Sequence, residues 1–93
     1  MSGVVVLHFW SPTCNPCRVI KPALEDMKEE FAEKIQEWVS INTKDDPKGI
    51  AQRYGVTVVP TIVFLKHNEE IGRHSGSSIG IYYTVLRKAC NAA

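Results

Sequence analysis

The chain has 93 residues, which suffices for one domain with a modest core, so we expect residues 1–93 to form a single domain. Its residues are 44% hydrophobic and 23% charged with a formal net charge of +1, which excludes a disordered chain and provides no basic face for nucleic acid. The longest apolar run, residues 4–7, is far shorter than the roughly 20 residues of a membrane span and follows no signal-peptide pattern, so a cytoplasmic location is expected.

The first part of the chain predicts a buried strand followed by a helix. Residues 3–10 are β-branched and aromatic with almost continuous hydrophobicity, which is typical of a central strand covered on both faces. After a turn at residues 11–13, apolar side chains recur at i, i+4, i+7 and i+11, so an amphipathic helix should start close to Cys14. Pro22 lies inside this helix and predicts a kink around residues 18–22.

The middle of the chain predicts a second strand and a short helix. Residues 36–42 have the composition of a strand. Asp45-Asp46-Pro47 then supplies a cap residue followed by a proline at a first helical position, so a helix should run from there to about Tyr54 and end at Gly55.

The last third predicts a hairpin and a closing helix. Residues 61–66 and 70–75 are strands joined by the three residues 67–69, although Gly72 weakens the second strand. Ser78 is a candidate N-cap, and the apolar residues after it repeat at helical spacing. The expected order is β-α-β-α-β-β-α. Two parallel βαβ steps followed by an antiparallel hairpin would give an α/β fold with a mixed sheet and helices on both faces.

The segment Cys14-Asn15-Pro16-Cys17 lies where the buried strand gives way to the first helix. Two intervening residues in a helical turn bring the two sulfurs close enough to form and open a disulfide. Unpaired N–H groups and the helix dipole favour a thiolate on Cys14, which would attack a substrate disulfide, after which Cys17 would resolve the mixed disulfide. Pro16 suits the first helical turn, and Asn15 adds a polar side chain able to bond to nearby backbone.

Other uses of the two cysteines are weaker hypotheses. A structural disulfide around a loop of about four residues would stabilise the fold by only about 2 kcal/mol. A zinc site needs four ligands, but there is no second Cys-x-x-Cys, and His67 and His74 have the wrong offset, so no metal is expected. Inert packing is the remaining alternative.

Cys90 and Trp10 each have two interpretations. Cys90 lies on the apolar stripe of the last helix, which favours a buried inert thiol over a regulatory or dimer-forming one. Trp10 ends the first strand, where it can support the active-site loop, fill the core, or do both.

Several motifs in order make the chain resemble the thioredoxin family over essentially its whole length. They are Trp10 four residues before Cys14, the Cys-x-Pro-Cys segment, a helix proline five residues after Cys17, Tyr54-Gly55-Val56, and Val59-Pro60-Thr61. The resemblance implies a thioredoxin-like fold and a monomeric protein-disulfide reductase without bound metal or nucleotide. Its electron donor would be a thioredoxin-reductase-like protein or glutathione. Because the family's first strand and helix have no counterpart here, we expect a minimal version of glutaredoxin length.

The resemblance also implies a substrate groove. Pro60 would be cis and face the dithiol, Val59 would offer backbone hydrogen bonds to an extended substrate, and Gly76 would be the third groove element. The alternative for Pro60 is an ordinary turn proline that starts a strand, which would be preferred in a chain without the dithiol. The expected substrate-binding residues are Trp10, Thr13, Asn15, Pro16, Val59, Thr61 and Gly76.

Four positions around the motif depart from the family pattern. Asn15 replaces a glycine, which leaves the redox potential open, and Thr13 replaces a second tryptophan, which alters the contact surface for partners. His8 replaces a buried aspartate and Ser40 its lysine partner. His8 is therefore either a base for Cys17 or a core histidine with a hydrogen-bonded ring.

The competing functional class is a binding module that keeps the fold and uses the groove without turnover. Retention of both cysteines and Pro60 argues against it. Loss of the aspartate and of the second tryptophan argues for it.

Overall fold

A computed structural model describes residues 3–91, and these residues form four strands and three helices in the predicted order. The elements are β1 (Val4–Trp10), α1 (Asn15–Glu30), β2 (Ile35–Asn42), α2 (Ile50–Arg53), β3 (Thr61–Lys66), β4 (Glu69–Ser75) and α3 (Ile79–Asn91). None of the helices in this part of the chain is long and apolar enough to cross a membrane. Helix α1 continues past Pro22 to Glu30, and the kink near that proline stays a prediction.

The strands form one mixed sheet in the order β2-β1-β3-β4. β1 is parallel to β2, whereas β3 is antiparallel to both β1 and β4. The mixed sheet is thus confirmed, but the prediction of a second parallel βαβ step is wrong. Helix α2 has only four residues and rises about 6 Å, so it cannot carry the chain back along β2. β3 therefore begins at the edge where β1 and β2 end, with Thr61 opposite Phe9.

Helices cover both faces of the sheet, as predicted. One face packs against α1 and α3, whose buried side chains are Ile20, Leu24, Met27, Tyr82, Leu86 and Ala89. The other face, which includes the buried Leu7, Phe9 and Val63, packs against α2 and the segment that follows it. Each fully buried aliphatic or aromatic side chain contributes about 1.5–3 kcal/mol to folding, so the apolar periodicity of α1 and α3 fixes which side of each helix faces the sheet.

Helix α2 begins later than predicted. It starts at Ile50 and not at Pro47, because Gly49 has a left-handed backbone with φ of 63°. The Asp46 carboxylate nevertheless accepts hydrogen bonds from the N–H groups of Ile50 at 3.1 Å and Ala51 at 2.9 Å. The aspartate is therefore a cap, as expected, and it reaches the helix across the intervening turn.

The hairpin connection is shorter than predicted. His67 and Asn68 both have positive φ, 54° and 65°, as in a two-residue type I′ turn, so β4 begins at Glu69. Gly72 in β4 also has a packing reason, because a Cβ there would lie 2.8 Å from Cγ1 of Val85. Helix α3 thus approaches the strand closely at this glycine.

Candidate active site

Cys14 and Cys17 are joined by a disulfide at the start of α1. Cys14 is the N-cap residue with an extended backbone, and its Sγ accepts a hydrogen bond from the N–H of Cys17 at 3.2 Å. The two Cα atoms are 5.3 Å apart, within the range for disulfides. The predicted helix start is confirmed, and an N–H group at the positive end of the helix points at the sulfur of Cys14.

The two cysteines differ in exposure. Cys14 is partly exposed, whereas the residue exposure of Cys17 is only 6%. An incoming disulfide therefore reaches the sulfur of Cys14 first, and the sulfur of Cys17 lies behind it. This asymmetry matches the nucleophilic and resolving roles expected from the sequence.

A small set of hydrogen bonds fixes the loop that leads into the dithiol. Ser11 Oγ accepts from the N–H of Thr13 at 3.3 Å and lies 3.1 Å from Thr13 Oγ1. The carbonyl of Ser11 accepts from the N–H of Cys14 at 3.1 Å, and Arg18 donates to the carbonyl of Pro12 at 3.0 Å. The turn at residues 11–13 was expected, whereas the hydrogen bonds of Ser11 and Arg18 within it were not, although a serine before a proline favours side-chain-to-backbone bonding.

The peptide bond between Val59 and Pro60 is cis, as the family resemblance implied. The Pro60 carbonyl accepts from the N–H of Gly76 at 2.9 Å, which joins two of the expected groove elements. Thr61 differs from expectation, since it is 1% exposed and its hydroxyl donates to the carbonyl of Val58 at 2.7 Å. Its Oγ1 also lies 2.7 Å from Ser75 Oγ, so Thr61 holds the loop and does not face the groove.

An open groove of about 1050 Å³ runs beside the dithiol. It brings together five of the predicted residues, Thr13, Cys14, Asn15, Pro16 and Val59, whereas Trp10 lines a different cavity. The groove also includes Thr57 and Val58, which no sequence motif had indicated. Val58 is 56% exposed, an unusual position for a valine in a loop, and it gives the groove an apolar contact.

Tyr82 of α3 connects the two loops behind the groove. Its hydroxyl donates to the carbonyl of Gly76 and lies 3.4 Å from the carbonyl of Pro60. The residue is fully buried, its ring contacts His74 edge to face at 4.9 Å, and burial raises the pKa of its hydroxyl to about 12. The helical spacing predicted an inward ring at this position but gave no signal for the hydroxyl contacts.

His8 lies in β1 behind Cys17 and is 8% exposed. Within residues 3–91 its Nε2 has no hydrogen-bond partner. Burial, and to a smaller degree the positive charge of Lys21, lowers the pKa of His8 to about 4. The sheet register places Ser40 directly beside His8, as the resemblance implied, and both residues line one cavity with Cys17.

Cys90 is a free thiol and is partly buried, so the expectation of a buried thiol is only half met. It packs at the margin of the core formed by α1, α3 and the sheet. Burial raises the pKa of its thiol, which favours the unreactive form. Across residues 3–91 no group of three or more histidine, cysteine or acidic side chains is placed to hold a metal ion.

Comparisons with known proteins agree with this geometry. A family model described as Thioredoxin matches residues 1–81. Thioredoxin from Pyropia yezoensis is 39% identical over 67 residues, which cover 72% of this chain and 61% of that protein. Thioredoxin M5, chloroplastic, from Oryza sativa subsp. japonica is 38% identical over 66 residues, which cover 71% of this chain and 37% of that protein. The chain thus matches less than two thirds of the length of these curated relatives.

Solved structures agree as well. The X-ray structure of Fasciola hepatica thioredoxin superimposes with a TM-score of 0.86 at 29% sequence identity, covering 94% of this chain and 81% of that one. The thioredoxin-like fold that the family resemblance implied is therefore confirmed.

Proposed function

The chain belongs to the thioredoxin family, and on that premise we propose that it is a thiol–disulfide oxidoreductase that reduces protein disulfides. The observation that supports this most directly is the asymmetric cysteine pair at the start of α1. Cys14 is partly exposed with an N–H group directed at its sulfur, and Cys17 is buried one turn away within disulfide distance. A pair of this kind can attack, be attacked and be restored without large backbone movement.

The proposed cycle begins with the reduced pair. The thiolate of Cys14 attacks one sulfur of the substrate disulfide, forming a mixed disulfide and releasing the other substrate sulfur as a thiolate, which takes up a proton. The thiolate of Cys17 then attacks the sulfur of Cys14 and releases the second substrate thiolate. Two electrons pass to the substrate and the Cys14–Cys17 disulfide remains, which a donor must reduce again.

The groove supports an extended protein segment as substrate. Val59 lines the groove beside the dithiol. Within residues 3–91 neither its N–H nor its C=O makes a hydrogen bond to another backbone group. A substrate strand could pair with these groups and place its disulfide over Cys14. The exposed Val58 next to it would contact apolar substrate side chains.

His8 is a poor base for Cys17. With a pKa of about 4 its ring is neutral at pH 7, and proton transfer from a thiol of ordinary pKa would cost on the order of 6 kcal/mol. We therefore propose that His8 supports the site as a neutral side chain. His8→Gln should leave the pH profile of Cys17 attack unchanged between pH 6 and pH 9. If His8→Gln instead removed an inflection from that profile, His8 would be the base for Cys17.

We also propose an electron donor, an oligomeric state and a location for the protein. A thioredoxin-reductase-like protein is the proposed donor, glutathione is the competitor, and the chain would act as a monomer in the cytoplasm. A chloroplastic protein stands among the relatives, so the compartment needs a direct test. Trapping the cysteines with an alkylating agent in cells would find Cys14 and Cys17 mostly reduced in a reducing compartment.

The deciding experiment is reduction of insulin disulfides by dithiothreitol, with and without the protein. Wild type should accelerate the reaction, Cys14→Ser should abolish the acceleration, and Cys17→Ser should accumulate a mixed disulfide with the substrate. Cys90→Ser should match wild type, because this thiol lies outside the groove. Absence of any acceleration, together with retained binding of reduced substrate, would instead identify a binding module without turnover.

A further inference from the structure

A cavity of about 340 Å³ lies behind the dithiol, between α1 and the strands β1 and β2, and we call it the rear cavity. Its strand side includes His8, Trp10 and Ser40, and its helix side includes Arg18, Lys21 and Lys28. Cys17 also lines it, whereas Cys14 lines the open groove and not this cavity. Binding pockets for small molecules begin at about 300 Å³, so the rear cavity is large enough for a small organic ligand.

Two buried nitrogen atoms at this cavity lack hydrogen-bond partners. Within residues 3–91 these atoms are Nε2 of His8 and Nε1 of Trp10. Such atoms are rare in folded proteins, because an unpaired buried polar group is costly. The indole N–H can only donate, and a neutral imidazole can also present an N–H at Nε2, so a ligand that satisfies both must offer acceptors.

The charges around the rear cavity also favour an acceptor with negative charge. Arg18, Lys21 and Lys28 line it against one acidic residue, Glu25. Lys21 and Lys28 make no salt bridge within the described residues, and the positive charge of Lys21 is felt at His8. These three cations are exposed, and positive charges that line one cleft together raise the local concentration of anions there.

The remaining wall of the cavity is apolar. Leu24 and Trp38 line it, and the ring of Trp38 contacts His8 with centroids 6.5 Å apart. A ligand that pairs with the nitrogen donors therefore meets an aromatic surface on its other side. This combination distinguishes the rear cavity from a patch of surface lysines that would attract any small inorganic anion.

We propose that the rear cavity binds a small monocarboxylate with a flat apolar body. Its oxygens accept hydrogen bonds from Trp10 Nε1 and His8 Nε2, and this requires the two rings to turn toward the cavity because both nitrogens are buried. Its charge lies near Lys21, and its apolar part packs on Trp38. Because Cys17 lines the same cavity, the bound carboxylate brings a negative charge near its sulfur and disfavours the thiolate. The ligand thereby slows the attack of Cys17 on the mixed disulfide.

Binding can be tested on the oxidised protein, independently of any reductase activity. Benzoate is the probe, benzyl alcohol is the uncharged control of similar size, and the NMR signals of the Trp10 indole N–H and the His8 ring are the readout. Benzoate should shift both signals saturably with a Kd of about 1 mM, and benzyl alcohol should bind about tenfold more weakly. Benzoate should also raise the pKa of His8 measured from the same spectra.

Two lysine variants test whether the carboxylate of the ligand lies near Lys21. Lys21→Met should weaken benzoate binding about fivefold to tenfold, whereas Lys48→Met, an exposed lysine outside the cavity, should leave it unchanged. Equal binding of benzyl alcohol and benzoate, or equal effects of the two lysine variants, would overturn the carboxylate assignment. Absence of any saturable shift at Trp10 and His8 would mean that water alone fills the cavity, which also overturns it.

Discussion

Replacing Tyr82 by phenylalanine removes a single oxygen, the one that connects the two loops behind the groove beside the dithiol. The hydroxyl donates to the carbonyl of Gly76, so its loss leaves that part-buried acceptor without this donor. The Pro60 carbonyl, which the hydroxyl also approaches, keeps its hydrogen bond from the N–H of Gly76. Leaving such a group unpaired costs about 1–3 kcal/mol. For a domain of this size a loss of about 1.5 kcal/mol lowers Tm by roughly 6–12 °C.

The neighbouring tyrosine provides a matched control. Tyr83 lies on the same helix and is only partly buried, with its ring 6.2 Å from that of Phe31. Within residues 3–91 its hydroxyl makes no hydrogen bond, so Tyr83→Phe applies the same chemical change without loss of a contact. The expected change in unfolding free energy for this control is within about 0.5 kcal/mol.

Alkaline titration adds a readout specific to the hydroxyl of Tyr82. Its folded pKa of about 12 lies above the ordinary value of 10, so its contribution to stability is complete below pH 10 and is lost as pH rises from 10 to 12. The Tm measured between pH 8 and pH 11 should therefore fall more steeply with pH for wild type than for Tyr82→Phe. Equal Tm values for Tyr82→Phe and Tyr83→Phe, with equal alkaline slopes, would refute the reasoning.

Three further predictions concern stability. His8 has a folded pKa of about 4 against an ordinary 6.5, so it contributes about 3 kcal/mol above pH 6.5 that is lost as pH falls toward 4. Urea unfolding at pH 7 and pH 4.5 should find this loss reduced in His8→Gln, and an unchanged loss would contradict it. Gly72→Ala should destabilise the protein by about 1–3 kcal/mol because the new Cβ would meet Val85. Gly80→Ala, where a Cβ in α3 meets open space, should be neutral or stabilising. Equal changes in Tm for the two variants would contradict the packing argument. Asp46→Ala should cost about 1 kcal/mol through loss of the α2 cap, measured by urea unfolding, and a cost near zero would mean that α2 forms without it.

The strands and long helices could be predicted because their signals are local. The apolar spacing of α1 reflects the side that faces the sheet, and the continuous hydrophobicity of β1 reflects its position between two covered faces. The direction of β3 could not be predicted in this way. It depends on how far α2 carries the chain, and α2 is shortened because Gly49 takes a left-handed backbone. No periodic pattern in the sequence indicates a left-handed backbone at Gly49.

In the candidate site, too, some residues could be predicted from local signals and others depend on tertiary packing. Spacing and position together identified Cys14 and Cys17, because the pair lies at a strand-to-helix junction and two residues in a helical turn determine how far apart the sulfurs lie. The hydroxyl of Tyr82 could not be assigned, since its acceptor belongs to a loop whose position depends on how α3 packs against β4. Val58 gave no signal either, because an apolar residue in a loop reads as a packing residue until its exposure is known.

The departures from the family pattern fall on the two sides of the dithiol. Thr13 and Asn15 line the open groove with Cys14, whereas His8 and Ser40 line the rear cavity with Cys17. Under the proposed reaction, changes in the groove would act on the approach of the substrate, and hence on formation of the mixed disulfide. Changes in the rear cavity would act on the ionisation of the second thiol, and hence on resolution of the mixed disulfide. We therefore expect the rates of the two proposed half-reactions to vary independently, each with the residues on its own side of α1.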